Sequence, residues 1–201
     1  MLLHAIIPAS RANGPGLRAV VFFQGCTLGC KKCFNPTTHV FHGVGIAPER
    51  VAEALVEAHR KHILEGITFS GGEPMQQADS LLGLMRNLRS RAPELSSGMF
   101  SGYTERELGK GRYSIWRREL EAQEKRSLWE AIRAHLDFAV LGRFNFLQPG
   151  TAPLSSSRNQ VLRLYSNRYT ETDFGEQSVE VSIHEDGRAE VSGFPVLGMP
   201  W

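Results

Sequence analysis

All three cysteines of the chain, Cys26, Cys30 and Cys33, lie in one glycine-flanked stretch, GCTLGCKKCFN, at residues 25–35. Their spacing is C-x3-C-x2-C, and no fourth cysteine follows. So tight and odd a set makes no disulfide framework; it points to metal or redox chemistry in a reducing compartment. Two kinds of centre compete. A structural zinc site wants four closed ligands, and His39 or His42 would supply the fourth. An iron–sulfur cubane takes one thiolate per iron. Three thiolates then leave one iron open to a substrate or cofactor, so the missing ligand has a chemical use.

The elements around this loop read as an alternation. LRAVVFFQG (17–25) is a β-branched and aromatic run that ends in glycine, which predicts a buried strand leading straight into the cysteines. A helix is expected over 48–62, with Pro48 in its first turn and Val51, Leu55, Val56 and His59 on one face. EGITFSGGEP (65–74) reads as a short strand running into a glycine turn, and 77–91 as a second amphipathic helix. A strand at 96–102, a helix at 126–136 and a strand at 137–144 follow. Strands alternating with helices predict an α/β fold with a mostly parallel sheet. About four such strands precede residue 145, too few for an eight-stranded barrel of about 250 residues. A partial, laterally open barrel is the expectation. Residues 159–165 read as a further strand and 166–177 as a polar loop. SVEVSIHEDGRAEVSGF (178–194) alternates on both sides of Asp186-Gly187, a hairpin signal. The expected division is a barrel over 1–165 and a C-terminal extension over 166–201.

Bulk properties exclude several classes. Of 201 residues, 41% are hydrophobic and 22% charged, with a formal net charge of +2, so the composition suits one well-buried core. Lys and Arg are scattered rather than blocked, which argues against a nucleic-acid partner. MLLHAII has no basic lead and too short an apolar run for a signal peptide, and no apolar stretch reaches the roughly 18 residues that span a bilayer. A cytoplasmic protein without a membrane partner is expected.

C-x3-C-x2-C followed by an aromatic residue, Phe34, resembles the signature of the radical S-adenosylmethionine superfamily. FSGGEP (69–74), which ends the second predicted strand, resembles its GGE motif. More narrowly, NGPGLRAVVFFQGCTLGCKKCFNP (13–36), TFSGGEPMQQ (68–77), FSGYT (100–104), LGRF (141–144) and SSSRNQVLRL (155–164) are similar to segments of the activating enzymes of anaerobic (class III) ribonucleotide reductase. The resemblance spans roughly residues 3–165. It implies a partial (β/α)6-type barrel and a [4Fe-4S] cluster on Cys26, Cys30 and Cys33, whose open iron chelates S-adenosylmethionine. Reductive cleavage to a 5′-deoxyadenosyl radical would then take hydrogen from a glycine of a partner glycyl radical enzyme. An electron donor of flavodoxin or ferredoxin type is implied as well. The resemblance places the backbone at Phe34 near the adenine, with Asn35 beside it also expected to bind the cofactor, and Ser70, Gly71, Gly72 and Glu73 at the methionine moiety. There the glycines would let backbone approach the ligand and Glu73 would face an ammonium. Ser101 is expected to contact ribose or carboxylate, and Asn159 and Gln160 to lie near the cofactor or the partner's entrance. Gly14, Pro15, Gly16 and Arg18 are expected to shape that entrance. Asn13, Leu141, Arg158 and Val161 stand where the family usually has other residues, and these departures are expected at partner or ribose contacts. The other reading of the same signature is a small radical enzyme acting on a peptide or metabolite.

Overall fold

The computed structural model describes residues 1–183, 187 and 189–194. Six strands form one sheet in chain order: β1 (Leu3–Ser10), β2 (Arg18–Phe23), β3 (Gly66–Gly71), β4 (Ser96–Ser101), β5 (Phe138–Leu141) and β6 (Val161–Leu164). The middle four run parallel, and β1 and β6 close the two edges antiparallel. The fold is therefore α/β around a parallel sheet, and its four parallel strands are the four expected. The edge strand β1 is new. Its run contains Pro8, which an edge strand tolerates at an irregularity, and the pairing shifts register between Ile7 and Ser10.

Each parallel connection advances one position in the same direction. Right-handed crossovers then put every helix on one face. The helices α1 (Pro48–His62), α2 (Ala78–Arg91), the short α3 (Glu105–Gly109) and α4 (Ala122–Arg133) supply that layer. Val21, Phe23, Ile67, Phe69, Met99, Ala139 and Leu141 alternate along the strands and share one buried cluster with Leu55, Leu81, Met85, Trp129 and Ile132 of the helices. Helix α4 starts earlier than its periodicity suggests, because Glu121 and Glu124 form a reciprocal cap at its start.

The opposite face of the sheet is covered only in part. Phe138 and Val140 pack there with Leu154, Tyr169 and Phe174. Tyr169 and Phe174 belong to the segment read as a polar loop, yet both are buried. A separate two-stranded ribbon, β7 (Val179–Ile183) and β8 (Ala189–Gly193), lies beyond them, with Val181 opposite Val191. This is the hairpin expected from alternation. Gly187 has φ +81°, and Asp186 lies outside the described residues.

Arg18 departs from its expected role. It was expected at a partner-facing entrance, but it is fully buried under the sheet. Its guanidinium donates to Thr68 Oγ1 (2.8 Å), Ser96 Oγ (2.7 Å) and the carbonyls of Ile67 (2.9 Å) and Pro15 (3.2 Å), and it lies 5.1 Å from the Phe138 ring centroid. Burial draws its pKa down, opposed chiefly by Tyr169, then Glu65 and Asp137. Tyr169 Oη lies 2.7 Å from Glu65 Oε1 and 2.6 Å from Ser96 Oγ, which links the buried charge to a carboxylate at the surface. Arg18 therefore pins the residue 13–16 loop to the amino-terminal ends of β3 and β4. Arg18→Ala is expected to destabilise the metal-free chain by about 3–4 kcal/mol, since several buried acceptors lose their donor together. Urea unfolding measures this; a change under about 1 kcal/mol refutes the pinning role.

Candidate functional site

The carboxyl ends of β2, β3, β4 and β5 converge on one cavity of about 300 Å³, on the side of the sheet away from the helices. Crevices at that end of parallel strands are where α/β proteins bind ligands. Cys26, Cys30 and Cys33 line it together, and all three are free and half-buried. Ser70 to Glu73, Ser101, Phe34 and Asn35 line it as well. These residues, up to 75 positions apart in the chain, thus surround one space.

The cysteine loop hangs between two strand ends. Cys26 N–H donates to His39 O (2.9 Å), and Cys33 N–H to Cys30 O (3.2 Å). Burial pushes the Cys26 thiol up to about 12; the Leu28 N–H opposes this, and Glu73, Cys30 and Cys33 add to it. Burial also raises Cys33, opposed by the Asn35 N–H, which reaches its Sγ at 3.4 Å. Thiols held so high become thiolates when a cationic centre sits among them, so metal loading releases protons. Three such thiols on one cavity wall fit a cubane in which each binds its own iron. Among the described residues, no group of three or more His, Cys, Asp or Glu side chains is arranged around a single ion. Of the two histidines considered as a fourth zinc ligand, His39 lines the cavity. His42 turns to Gln24 and the Val40 carbonyl instead.

The GGE turn does a different job from the one expected of its glycines. A Cβ on Gly72 would lie 2.3 Å from the Gly25 carbonyl oxygen, and one on Gly71, at φ +96°, would lie 2.4 Å from Phe23 N. The missing side chains make room for protein backbone: Gly72 N–H donates to Phe23 O (2.8 Å) and Glu73 N–H to Gly25 O (2.9 Å). The turn thereby sets the height of the cysteine loop. Glu73, 1% exposed, accepts from Met75 N (2.9 Å), Ser101 Oγ (2.8 Å) and Gly102 N (2.8 Å), so it ties β3 to β4. Burial raises its pKa to about 7 against those hydrogen bonds and Arg143. Ser101 is thus engaged by Glu73 and by Tyr103 N–H (3.1 Å).

Other expected residues separate. Gln160 lines the cavity, whereas Asn159 is exposed, donates to Arg143 O (2.7 Å) and belongs to a different pocket with Leu147 and Arg158. Of the four departures from the family pattern, Asn13 alone lines the cavity; Leu141 is helix-side core, Arg158 holds Pro149 O, and Val161 is exposed. Residues not anticipated from sequence complete the walls. Phe144 packs on Phe34 with centroids 4.5 Å apart, and Val191, Ser192, Gly193 and Phe194 of the ribbon close one side. Ser192 is held by the Asn13 amide (2.5 Å), and Phe194 meets Phe100 edge-on at 5.5 Å. A larger cleft of about 550 Å³, between Met1, Phe41 and Trp116, contains none of the cysteines.

A cavity lined by three cysteines at the carboxyl ends of parallel strands defines a small α/β protein whose thiols fit an iron–sulfur cluster. The chain belongs to the 4Fe-4S single cluster domain family, whose model matches residues 12–163. Among curated relatives, it is 30% identical over 112 residues to the anaerobic ribonucleoside-triphosphate reductase-activating protein of Vibrio cholerae, covering 54% of this chain and 72% of the relative. It is 29% identical over 100 residues to the protein of the same name from Enterobacteria phage T4, covering 49% and 64%. It is 36% identical over 87 residues to the pyruvate formate-lyase-activating enzyme of Clostridium pasteurianum, covering 42% of this chain but only 37% of that enzyme. The chain therefore spans little more than a third of that relative's length. No helix among the described residues is long and apolar enough to cross a membrane.

Proposed function

We propose that this chain is a radical S-adenosylmethionine activase that prepares a glycyl radical enzyme, with anaerobic ribonucleotide reductase as the leading partner. The observation that carries the reading is the convergence of Cys26, Cys30 and Cys33 with the Ser70–Glu73 turn on one cavity. A [4Fe-4S] cluster bound there, with one iron left open, would supply the electron that cleaves S-adenosylmethionine to a 5′-deoxyadenosyl radical able to take hydrogen from a glycine. Cys26, Cys30 and Cys33 hold the cluster. Glu73 presents a buried carboxylate to the ammonium of the methionine moiety. Phe34 and Phe144, packed together, offer an apolar surface to the adenine. Asn35, Ser70 and Gln160 supply polar groups on the same wall. The parallel run β2–β5 is the part of the superfamily's partial barrel that positions these groups. Residues 1–165 carry the chemistry, and 166–201 shape its mouth. A flavodoxin- or ferredoxin-type protein in the cytoplasm supplies the electron. Names of relatives support this reading: three of those matched are activating proteins or enzymes.

Reconstitution under argon with iron and sulfide, followed by dithionite and S-adenosylmethionine, should yield 5′-deoxyadenosine. Adding the anaerobic ribonucleotide reductase of the same genome should give a glycyl doublet by electron paramagnetic resonance. 5′-Deoxyadenosine without the doublet would move the substrate to a peptide or metabolite. A colourless zinc protein would end the radical reading.

The ribbon supplies a further expectation. Removing residues 178–201 opens the cavity beside Asn13 and Phe100 but leaves the six-stranded sheet and its helix-side cluster whole. The shortened chain should still cleave S-adenosylmethionine, while hydrogen transfer to the partner falls about tenfold through lost positioning. Unchanged transfer excludes the ribbon from substrate handling.

A further inference from the structure

The turn after Glu73 is a 3-10 helix, Pro74–Gln77, and its third residue reaches the cysteine loop. Gln76 is 1% exposed. Its Oε1 accepts the backbone N–H of Thr27 at 3.0 Å, and its Nε2 donates to Thr27 Oγ1 at 2.7 Å and to Tyr103 Oη at 3.0 Å. The Thr27 N–H can only donate, so it fixes which end of the amide faces it. The Gln76 carbonyl accepts from Trp116 N–H (2.8 Å), which anchors the residue from behind. Among the described residues, the one other side-chain hydrogen bond to residues 27–32 is that between the Leu28 N–H and the Cys26 thiol within the arm itself. The arm from Cys26 to Cys30 otherwise rests on Leu28, whose methyl would lie 2.3 Å from a Cβ on Gly102.

We propose that Gln76 is a positioning residue for the cluster ligands: by clamping the N–H and the hydroxyl of Thr27 it holds the Cys26–Cys30 arm in the shape that three irons require. The inference rests on the reading that these cysteines hold a [4Fe-4S] cluster. Gln76 touches neither thiol nor ligand and acts through Thr27. Partners of this kind, one step behind a ligand, typically change metal affinity by about 10- to 100-fold when lost.

Three variants test it. Gln76→Leu keeps the bulk and removes every side-chain hydrogen bond. Gln76→Glu keeps an acceptor for the Thr27 N–H. Thr27→Val removes only a hydroxyl at an exposed position, so it folds even if the buried variants do not. In the metal-free protein, amide exchange at Thr27 and alkylation of Cys26 and Cys30 by iodoacetamide should each speed up about tenfold in Gln76→Leu. After anaerobic loading with iron and sulfide, iron loss to a chelator should be about tenfold faster, and the signal of the reduced cluster should broaden. Gln76→Glu should recover most of the wild-type behaviour, and Thr27→Val should lose iron about threefold faster. A merely structural role would lower the unfolding midpoint but leave these rates unchanged at equal folded fraction. Unchanged Thr27 exchange in folded Gln76→Leu, or faster exchange with wild-type iron retention, overturns the proposal. If Gln76→Leu does not fold, wild-type iron retention in Thr27→Val overturns it. A wild-type chain that takes up no iron and sulfide overturns the cluster reading instead, and with it the cluster role of Gln76; the exchange and alkylation rates in the metal-free chain still report whether the clamp exists.

Discussion

Cys30→Ala is expected to end cluster-dependent cleavage of S-adenosylmethionine completely, with 5′-deoxyadenosine at the background of the iron-free protein. The chain contains three cysteines, so no spare thiol can replace the lost one. Two thiolates leave two irons of a cubane without protein ligands, and such a cluster is not retained. The loss should not come from unfolding. Cys30 is half-buried at the cavity wall, and its neighbour Gly29 faces open space. The metal-free variant should therefore match wild type within about 0.5 kcal/mol in urea. Iron content, 5′-deoxyadenosine and the unfolding midpoint, measured together, separate the cases. Wild-type turnover by Cys30→Ala after anaerobic reconstitution would remove Cys30 from the ligand set.

Glu73 should have the second largest effect, visible with and without ligands. Its folded pKa is raised to about 7, against an ordinary value of 4.5. Between those values the folded chain keeps a proton that the unfolded chain has released. Its contribution to stability is thus fully present below about pH 4.5 and is lost as the pH rises through about 7. The span corresponds to an upper limit of about 3 kcal/mol. Urea unfolding of the metal-free wild type should show this fall between pH 5 and pH 8, and Glu73→Gln should flatten it. The slope discriminates better than absolute stability, because a glutamine turns one N–H2 toward the backbone donors of Met75 or Gly102. In the loaded protein the same variant should weaken S-adenosylmethionine binding about tenfold while the cluster stays in place, since an ionised partner for an ammonium is gone. Equal slopes in variant and wild type would refute the titration, and an unchanged dissociation constant would take Glu73 out of the ligand site.

Glu73, Gly72 and Gln76 also explain why one motif serves two purposes. The carboxylate lines the cavity and also accepts from Met75 N, Ser101 Oγ and Gly102 N. The glycines make room for the cysteine loop, and Gln76 then clamps that loop from behind. The GGE turn is a mount for the cysteine loop as well as part of the cavity wall. A substitution here should therefore disturb metal loading along with ligand affinity.

The sequence by itself determined what depends on near neighbours along the chain. The cysteine spacing, the short apolar runs that became β2, β3 and β5, the periodic faces of α1 and α2 and the alternating ribbon are local patterns, and all are found in the structure. The relation between the cysteine loop and the glycine turn was legible too, because both end strands that lie side by side, with Phe23 opposite Gly71. Only the tertiary structure decided the rest. Arg18 reads as a surface cation until the polar pocket of Thr68, Ser96 and Tyr169, up to 151 positions away, is seen around it. Asn159 and Gln160 are equivalent as letters, and the turn before β6 decides that Gln160 faces the cavity. Asn13 meets Ser192 across 179 residues, and Phe144 meets Phe34 across the cavity mouth. Periodicity encodes which face of an element is apolar. Which distant element covers that face, and which loop residue turns inward, is settled only when the whole chain closes around its core.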